Sequence, residues 1–500
     1  MSAQNGNSIF TDFDYAWLSN TGEVSTSYTT LTGAPQTASA LSSIFGRVNW
    51  NYNETYMASV VMRADGSSNF ARGNRWGYFP SVSAGWVITN EPFMESVKPW
   101  MDFFKIRASW GQNGNCDITN FQYLSTFTFG GNANYSFGNN KTGQNTGAYS
   151  DILANKDVTW ETSEQLNIGF DARFFESRLG VNFDWYKKTT KDWLVQAPIL
   201  ASYGTNAPYI NGGDVENKGI ELMLSWNDQV NDFKYGARFN LAHNKNKVTR
   251  IANTEGIIHG PTNVLSNNTA EMFRAEVGYP IGYFYGYKTA GVFQNPEQVD
   301  NTKAKLETAA PGDVIFVDVN GDGEITDDDK TMIGNPNPDV TMGFTLDFAY
   351  KGFDFSVTGM SALGHQIAKS YRQFSQNAFE NYTTDILGCW DGENTSNRLP
   401  RYSSGSNINW TNISDLYIED ADYFKLSNLT IGYDFKQLWK NSPLSQIRLY
   451  FAAQNLFTIT GYSGMDPEVG YGGGTTWGSG IDLGFYPSSR SYLVGVNLKF

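Results

Sequence analysis

The last ten residues constrain the fold more than any other stretch of this chain. Tyr492, Val494, Val496, Leu498 and Phe500 fall on one side of an extended backbone, and Leu493, Gly495, Asn497 and Lys499 fall on the other. A period of two marks a β-strand whose two faces meet different surroundings. The pattern recurs upstream. Ile106, Ala108 and Trp110 oppose Lys105, Arg107 and Ser109. Val48, Trp50 and Tyr52 oppose Arg47, Asn49 and Asn51, and Leu166, Ile168, Phe170 and Ala172 oppose Asn167 and Asp171. Strands are expected at 44–52, 56–65, 78–88, 103–112, 164–174, 179–189, 218–227, 233–243, 340–350, 353–361, 423–434, 447–457 and 491–500.

A soluble sandwich also alternates, so periodicity leaves sandwich and membrane barrel both open. Length and connection separate them. The segments run to about ten residues, the length of a tilted membrane strand. Their links include short turns at 53–55, 176–178, 228–232 and 351–352, and long loops at 113–163, 190–217, 244–339, 362–422 and 458–490. Outer-membrane barrels have short periplasmic turns and long extracellular loops. The expected architecture is all-β, a transmembrane antiparallel barrel. The polar segment 1–43 is an extracellular loop remnant, and 44–500 is barrel with its largest loop at 244–339.

At 500 residues the chain is long for one soluble core. A large barrel escapes that limit because its interior need not be apolar. No run approaches the ~18 apolar residues of a membrane helix, so a membrane would be crossed by strands. The N-terminus has no basic start and no apolar segment of a secretory signal, which suggests that the true start lies upstream. A net charge of −14 disfavours nucleic acid as a partner. Cys116 and Cys389 could pair in an oxidising compartment, but two free thiols is the favoured expectation.

Several stretches resemble the SusC/RagA family of TonB-linked outer-membrane proteins. They are YFPSVSAGWVITNEPFM at 78–94, FFKIRASWGQNGN at 103–115, the run at 159–194 from TWETSEQLNIGF to TTKDWL, and NGGDVENKGIEL at 211–222. GYPIGYFYGYKTAGVFQ at 278–294, the run at 312–344 beginning GDVIFVDVNGDGEITDDD, and the ending YPSSRSYLVGVNLKF continue the likeness. The resemblance implies a 22-stranded barrel, of which about thirteen strands are present here, with the plug and TonB box absent. It implies a cell outer-membrane location, a surface-exposed SusD-like lipoprotein as lid, TonB as the energy source, and import of glycan oligomers or peptides. It further implies that the closing strand carrying Tyr492, Val494, Val496, Leu498 and Phe500 serves the barrel assembly machinery, with lipid around the wall. Thirteen strands cannot close by up-and-down pairing, so a truncated wall that does not transport alone is expected.

The sharpest local motif is DVNGDGEITDDD at 318–329, which fits a calcium loop. Asp318, Asn320 and Asp322 would offer side-chain oxygens, Glu324 its carbonyl, and Asp329 would close the site. Asp at the last position departs from the usual Glu and shortens the reach. The competing reading is a turn-rich acidic loop. His243, His259 and His365 match no metal spacing and are expected to be surface or lumen groups. No nucleophile elbow or glycosidase carboxylate pair is recognisable, so no enzyme is expected. Trp390, Trp410, Tyr471 and Trp477 lie in long loops and are candidates for stacking on a ligand, against packing within an interface. The Gly-rich stretch 470–480 is expected to be a flexible loop. The alternatives are a structural or adhesive outer-membrane barrel and a soluble β-rich carbohydrate-binding protein.

Overall fold

The computed structural model describes residues 39–129, 134–135, 146–150, 152–196, 201–265, 269–372, 382–402 and 408–500. Among them, thirteen long strands form one antiparallel sheet. They are β1 (Leu41–Tyr52), β2 (Tyr56–Ser67), β3 (Trp76–Val87), β4 (Met101–Asn115), β5 (Glu161–Phe174), β6 (Leu179–Lys191) and β7 (Gly213–Val230). After these come β8 (Phe233–Ile251), β9 (Val340–Tyr350), β10 (Phe353–Leu363), β11 (Tyr423–Asp434), β12 (Gln446–Thr460) and β13 (Ser491–Lys499). Each strand pairs with its neighbours in the chain. Among the described residues β1 and β13 do not pair with each other, so the sheet is an open wall. No described helix is long and apolar enough to cross a membrane.

Turn chemistry sets the short-turn end. Lys351 and Gly352, between β9 and β10, both have positive φ (45° and 87°). That is the two-residue turn whose twist matches a hairpin, and Gly352 takes the larger angle without a Cβ penalty. Asn53 and Glu54 do the same between β1 and β2.

Register then lines up the faces. Val48 pairs with Val60, Val60 with Val82, Val82 with Trp110, and Trp110 with Leu166. This row faces outward, and Val48 is 70% exposed. One residue along, Asn49, Ser59, Ser83, Ser109 and Asn167 form a polar row on the inner face. Apolar side chains bare to the outside and polar ones within invert a soluble sandwich and suit a wall in lipid.

Ion pairs on the inner face reach over a strand. Arg107 on β4 and Asp184 on β6 both pair in register with Gly169 of β5. The Arg107 Nη1 to Asp184 Oδ1 distance is 2.6 Å. Arg448 on β12 holds Asp354 on β10 across Gly432 of β11, with Nε to Oδ1 at 2.8 Å. A Cβ on Gly169 would lie 2.6 Å from Asp184 Oδ1, and one on Gly432 2.6 Å from Arg448 Nε. Each glycine is the gap through which a pair stitches three strands together.

Two expected boundaries are corrected. β1 begins at Leu41, so 41–43 is strand and not loop remnant, while 1–38 lies outside the described residues. β7 and β8 run for 18 and 19 residues, well beyond the ~10 that a bilayer needs. The large loop therefore begins at 252. Past the lipid band, Val215, Val248 and Ile251 are buried against Trp193, whereas Met223, lower on the same inner face of β7 as Val215, is exposed to the lumen. Alternation keyed to a lipid face stops there, which is why the extension was not legible.

The loops above the wall are folded. Met272, Phe273, Phe284, Tyr287, Trp410 and Tyr417 belong to one buried cluster drawn from separate connections. A smaller cluster of Phe70, Phe79, Val158 and Trp160 lies under the 68–75 and 116–160 connections. Substituting the two faces of β13 should separate lipid from lumen. In the complete barrel folded in bilayers, Val494→Arg should cost about 2–4 kcal/mol, whereas Leu493→Arg should cost far less. The denaturant midpoint of each variant checks this.

Candidate functional site

A cavity of about 1510 Å³ opens among the loops. Its lining comes from three connections: 252–339, 364–422 and 461–490. Two short strands, Thr331–Gly334 and Ile418–Asp420, run along it. Each is the outer member of its small sheet: Thr331–Gly334 pairs with Tyr283–Gly286, and Ile418–Asp420 with Gln366–Lys369. Gln366 fastens the two sheets together. Its backbone N–H donates to Asn335 O at 2.8 Å, and its side-chain oxygen accepts from Asn335 N at 2.9 Å.

The floor is ionic. Lys369 is buried; its Nζ lies 3.1 Å from Asp385 Oδ2 and donates to Ser463 Oγ at 2.8 Å. Ser463 donates in turn from Oγ and from its backbone N–H to Glu419, at 2.9 and 3.0 Å. A buried ammonium needs such partners, because desolvating it alone is prohibitive. On the facing wall, Asp415 accepts from the backbone N–H and the hydroxyl of Thr289 at 3.1 and 2.6 Å. Asp420 and Asp422 are exposed at the rim. None of these residues was anticipated. The cluster assembles from positions far apart in the chain, and Glu419 and Asp420 carry no spacing signal of their own.

The four aromatic candidates have different fates. Trp410 is fully buried and packs edge-on against Tyr417 with centroids 5.4 Å apart, so it is a core residue and not a ligand platform. Trp477 sits edge-on to both Phe273 and Trp193, at 5.1 and 6.1 Å. It joins two buried clusters, and the Gly-rich stretch around it is thereby packed down. Trp390 is half-buried, donating from Nε1 to Gln294 Oε1 at 3.2 Å. Tyr471 is exposed, edge-on to Phe485 at 5.5 Å. It lines a second hollow of about 360 Å³ with Tyr486, Asp466 and Glu468, separate from the large cavity. Tyr492, Val494, Val496, Leu498 and Phe500 all lie exposed, on or just beyond the edge strand β13.

The acidic loop closes on its own backbone. Asp318 accepts from the N–H groups of Gly321 and Gly323 at 2.6 and 2.8 Å. Asn320 accepts from Asp322 N, and Asp322 from Glu324 N, both at 2.9 Å. Asp329 is fully buried and accepts from Val319 and Thr326 N–H groups at 2.8 Å each and from Asn320 N at 3.3 Å. Burial works to raise the Asp329 carboxyl's pKa, and these backbone bonds outweigh it and hold it below the usual carboxylate value. Among the described residues, no three Asp, Glu, His or Cys side chains gather as a metal cage.

Other expectations resolve simply. Cys116 and Cys389 are both free thiols and pack against different clusters. Burial, then the charge of Asp385, pushes the Cys389 thiol up to about 11. His243 bonds through Nδ1 to Asp339 O at 2.9 Å, and His259 to Glu271 at 2.9 Å. His365 is buried, against expectation, and burial lowers its pKa.

Comparison with known proteins gives a consistent set. The family described as TonB dependent receptor-like, beta-barrel matches residues 3–330. The chain is similar to TonB-dependent receptor P3 of Formosa agariphila, 33% identical across 92% of this chain and 45% of that protein. It is similar to the TonB-dependent receptor SusC of Bacteroides thetaiotaomicron, 31% identical across 93% of this chain and 44% of that protein. Among solved structures it matches the RagAB peptide transporter, at TM-score 0.75 and 25% identity over 92% of this chain and 48% of that one. The chain spans about half the length of these relatives.

Removing the acceptor that closes the acidic loop should open it. Asp329→Ala strands three backbone donors, which costs about 2–4 kcal/mol locally; amide exchange at Val319, Asn320 and Thr326 should accelerate, and a chelator should leave the wild-type loop unchanged. The pH dependence follows from the depressed pKa. The carboxylate's stabilisation is full above the ordinary Asp value near ~4 and is lost as pH falls through the lower folded-state value.

Proposed function

This chain belongs to the TonB dependent receptor-like β-barrel family, of SusC/RagA type, and we propose that it forms the wall and outer loops of an importer for glycan oligomers or peptides. It is an outer-membrane protein. One observation carries the reading: a wall with apolar side chains outside and polar ones inside has its long loops folded over one end around a cavity of about 1510 Å³. An adhesive barrel would need the loops but not such a cavity. A soluble sandwich would bury the outer face. The role is transport and not catalysis.

The proposal extends to partners. Energy comes through TonB, and a SusD-like lipoprotein covers the loops. The barrel assembly machinery receives β13, where Val494 and Phe500 stand exposed. Among the described residues the wall leaves two strand edges, and unpaired backbone groups in hydrocarbon cost several kcal/mol each, so in a working barrel both edges are paired. For the ligand, glycan is the family default. A peptide is favoured by one feature: among the described residues no aromatic side chain lines the cavity, whereas sugar rings are usually gripped by stacking on aromatic faces.

Uptake in cells provides the test. The complete receptor, expressed with its lipoprotein in an outer-membrane host, should accumulate fluorescent oligomers only when TonB is intact. Equal accumulation without TonB would sink the importer reading in favour of a passive or adhesive barrel.

A further inference from the structure

We infer that the outer face of β6, β7 and β8 carries a binding site for a phosphate-bearing glycolipid of the outer leaflet. The inference needs only a lipid-facing wall and goes beyond the importer reading.

Its first ground is a row of like charges. Lys218 of β7 stands directly opposite Lys187 of β6 and Lys245 of β8. Two residues further along β8, Lys247 stands opposite Glu216. Like charges facing each other across a ladder repel and weaken a sheet. Glu216 offsets one of them, at 2.8 Å from Lys187 Nζ. Among the described residues Lys218, Lys245 and Lys247 make no salt bridge. All four lysines are exposed, so the row is open to an anion from outside the chain. With neighbouring strands ~4.8 Å apart, the row from Lys187 to Lys245 covers about 10 Å, room for a headgroup with more than one anion.

The second ground is where the row sits. Trp185, Ile220 and His243 stand in register one outward step below the three lysines, and Phe183, Leu222 and Leu241 stand in the step below that. From Phe233, at the short-turn end of β8, to Lys245, a strand tilted by ~40° climbs about 30 Å. That height takes in the ~25 Å apolar band and its rim. The lysines therefore stand at headgroup level on the long-loop side, directly over lipid-facing side chains. A small soluble anion would use the lysines alone. An acylated ligand uses both surfaces, with phosphates on the ammonium groups and chains along Trp185, Ile220 and Leu222. Lysine serves phosphate as a compact point charge, and clustered lysines at a membrane surface hold anionic headgroups.

The test uses the complete receptor in nanodiscs of neutral phospholipid. These are doped with a diphosphorylated disaccharide lipid of the lipid A type, or with the same lipid stripped of phosphate. Native mass spectrometry reads the lipid that stays bound. The phosphorylated form should bind at least about ten-fold tighter, and its advantage should shrink as salt rises. Substituting Lys218→Gln, Lys245→Gln and Lys247→Gln together should remove most of that advantage, at about five-fold for each lysine. Lys188→Gln, which faces the lumen from the same strand β6, should bind as wild type does. Stability separates the proteins as well. Without phosphorylated lipid the triple variant should melt no lower than wild type, because repulsion is relieved. Adding that lipid should raise the melting temperature of wild type alone. Equal binding of the two lipids by wild type, undiminished binding by the triple variant, or inorganic phosphate binding as tightly as the lipid would overturn the inference. None of these results bears on TonB-dependent uptake, so the importer reading stands or falls separately.

Discussion

A peptide group in hydrocarbon has no water to bond to, so each strand of a membrane wall must find its partners in the neighbouring strands. The ladder from β1 to β13 follows from that demand. Sequence neighbours are paired by turns as tight as Lys351–Gly352, and register sorts every side chain to one face or the other. A slip of one residue would turn Val48, Val60 and Val82 toward the lumen and expose Asn49, Ser59 and Ser83 to lipid. The inner-face pairs Arg107–Asp184 and Arg448–Asp354 reinforce the same register. Each spans two ladder steps over a glycine and fits only one alignment of three strands.

Above the lipid the rules change within single strands. On β7 and β8 the apolar residues near the loop end are covered by other protein, not by lipid, and Val248 is fully buried. This part of the molecule behaves as a soluble domain built on a membrane wall. Its core brings together Phe273, Trp410 and Ile481 from three connections. Trp477 joins that core to the cluster around Trp193, and the cavity walls are fixed because the packing behind them is continuous.

The wall was legible because lipid imposes period two on every strand. All thirteen segments fell where alternation placed them, and the errors lie at ends such as Leu41 and Ile251, where the lipid no longer dictates the pattern. Family likeness was legible through ordered motifs, from the stretch at 78–94 to the closing strand. The loop architecture was not. A tryptophan in a polar loop looks the same in sequence whether it is buried like Trp410 or half-open like Trp390. The cavity's Lys369, Asp385, Glu419 and Ser463 meet only through long-range folding, and short strands such as Thr331–Gly334 are too brief to show a period. At 318–329 a calcium pattern and a self-closed Asx-rich loop share the same letters, and the sequence did not show that the Asp329 oxygens take the loop's own N–H groups.

The contrast between local and distant pairing has a kinetic consequence. Wall strands join sequence neighbours, whereas the loop core must bring Met272, Tyr417 and Ile481 together across the four strands β9 to β12. Closing large loops is entropically slow. The wall is therefore expected to insert first, with the cavity maturing afterwards on the far side. Ile481 pairs through its strand with Ala368, so that step waits on one of the last segments of the chain to emerge.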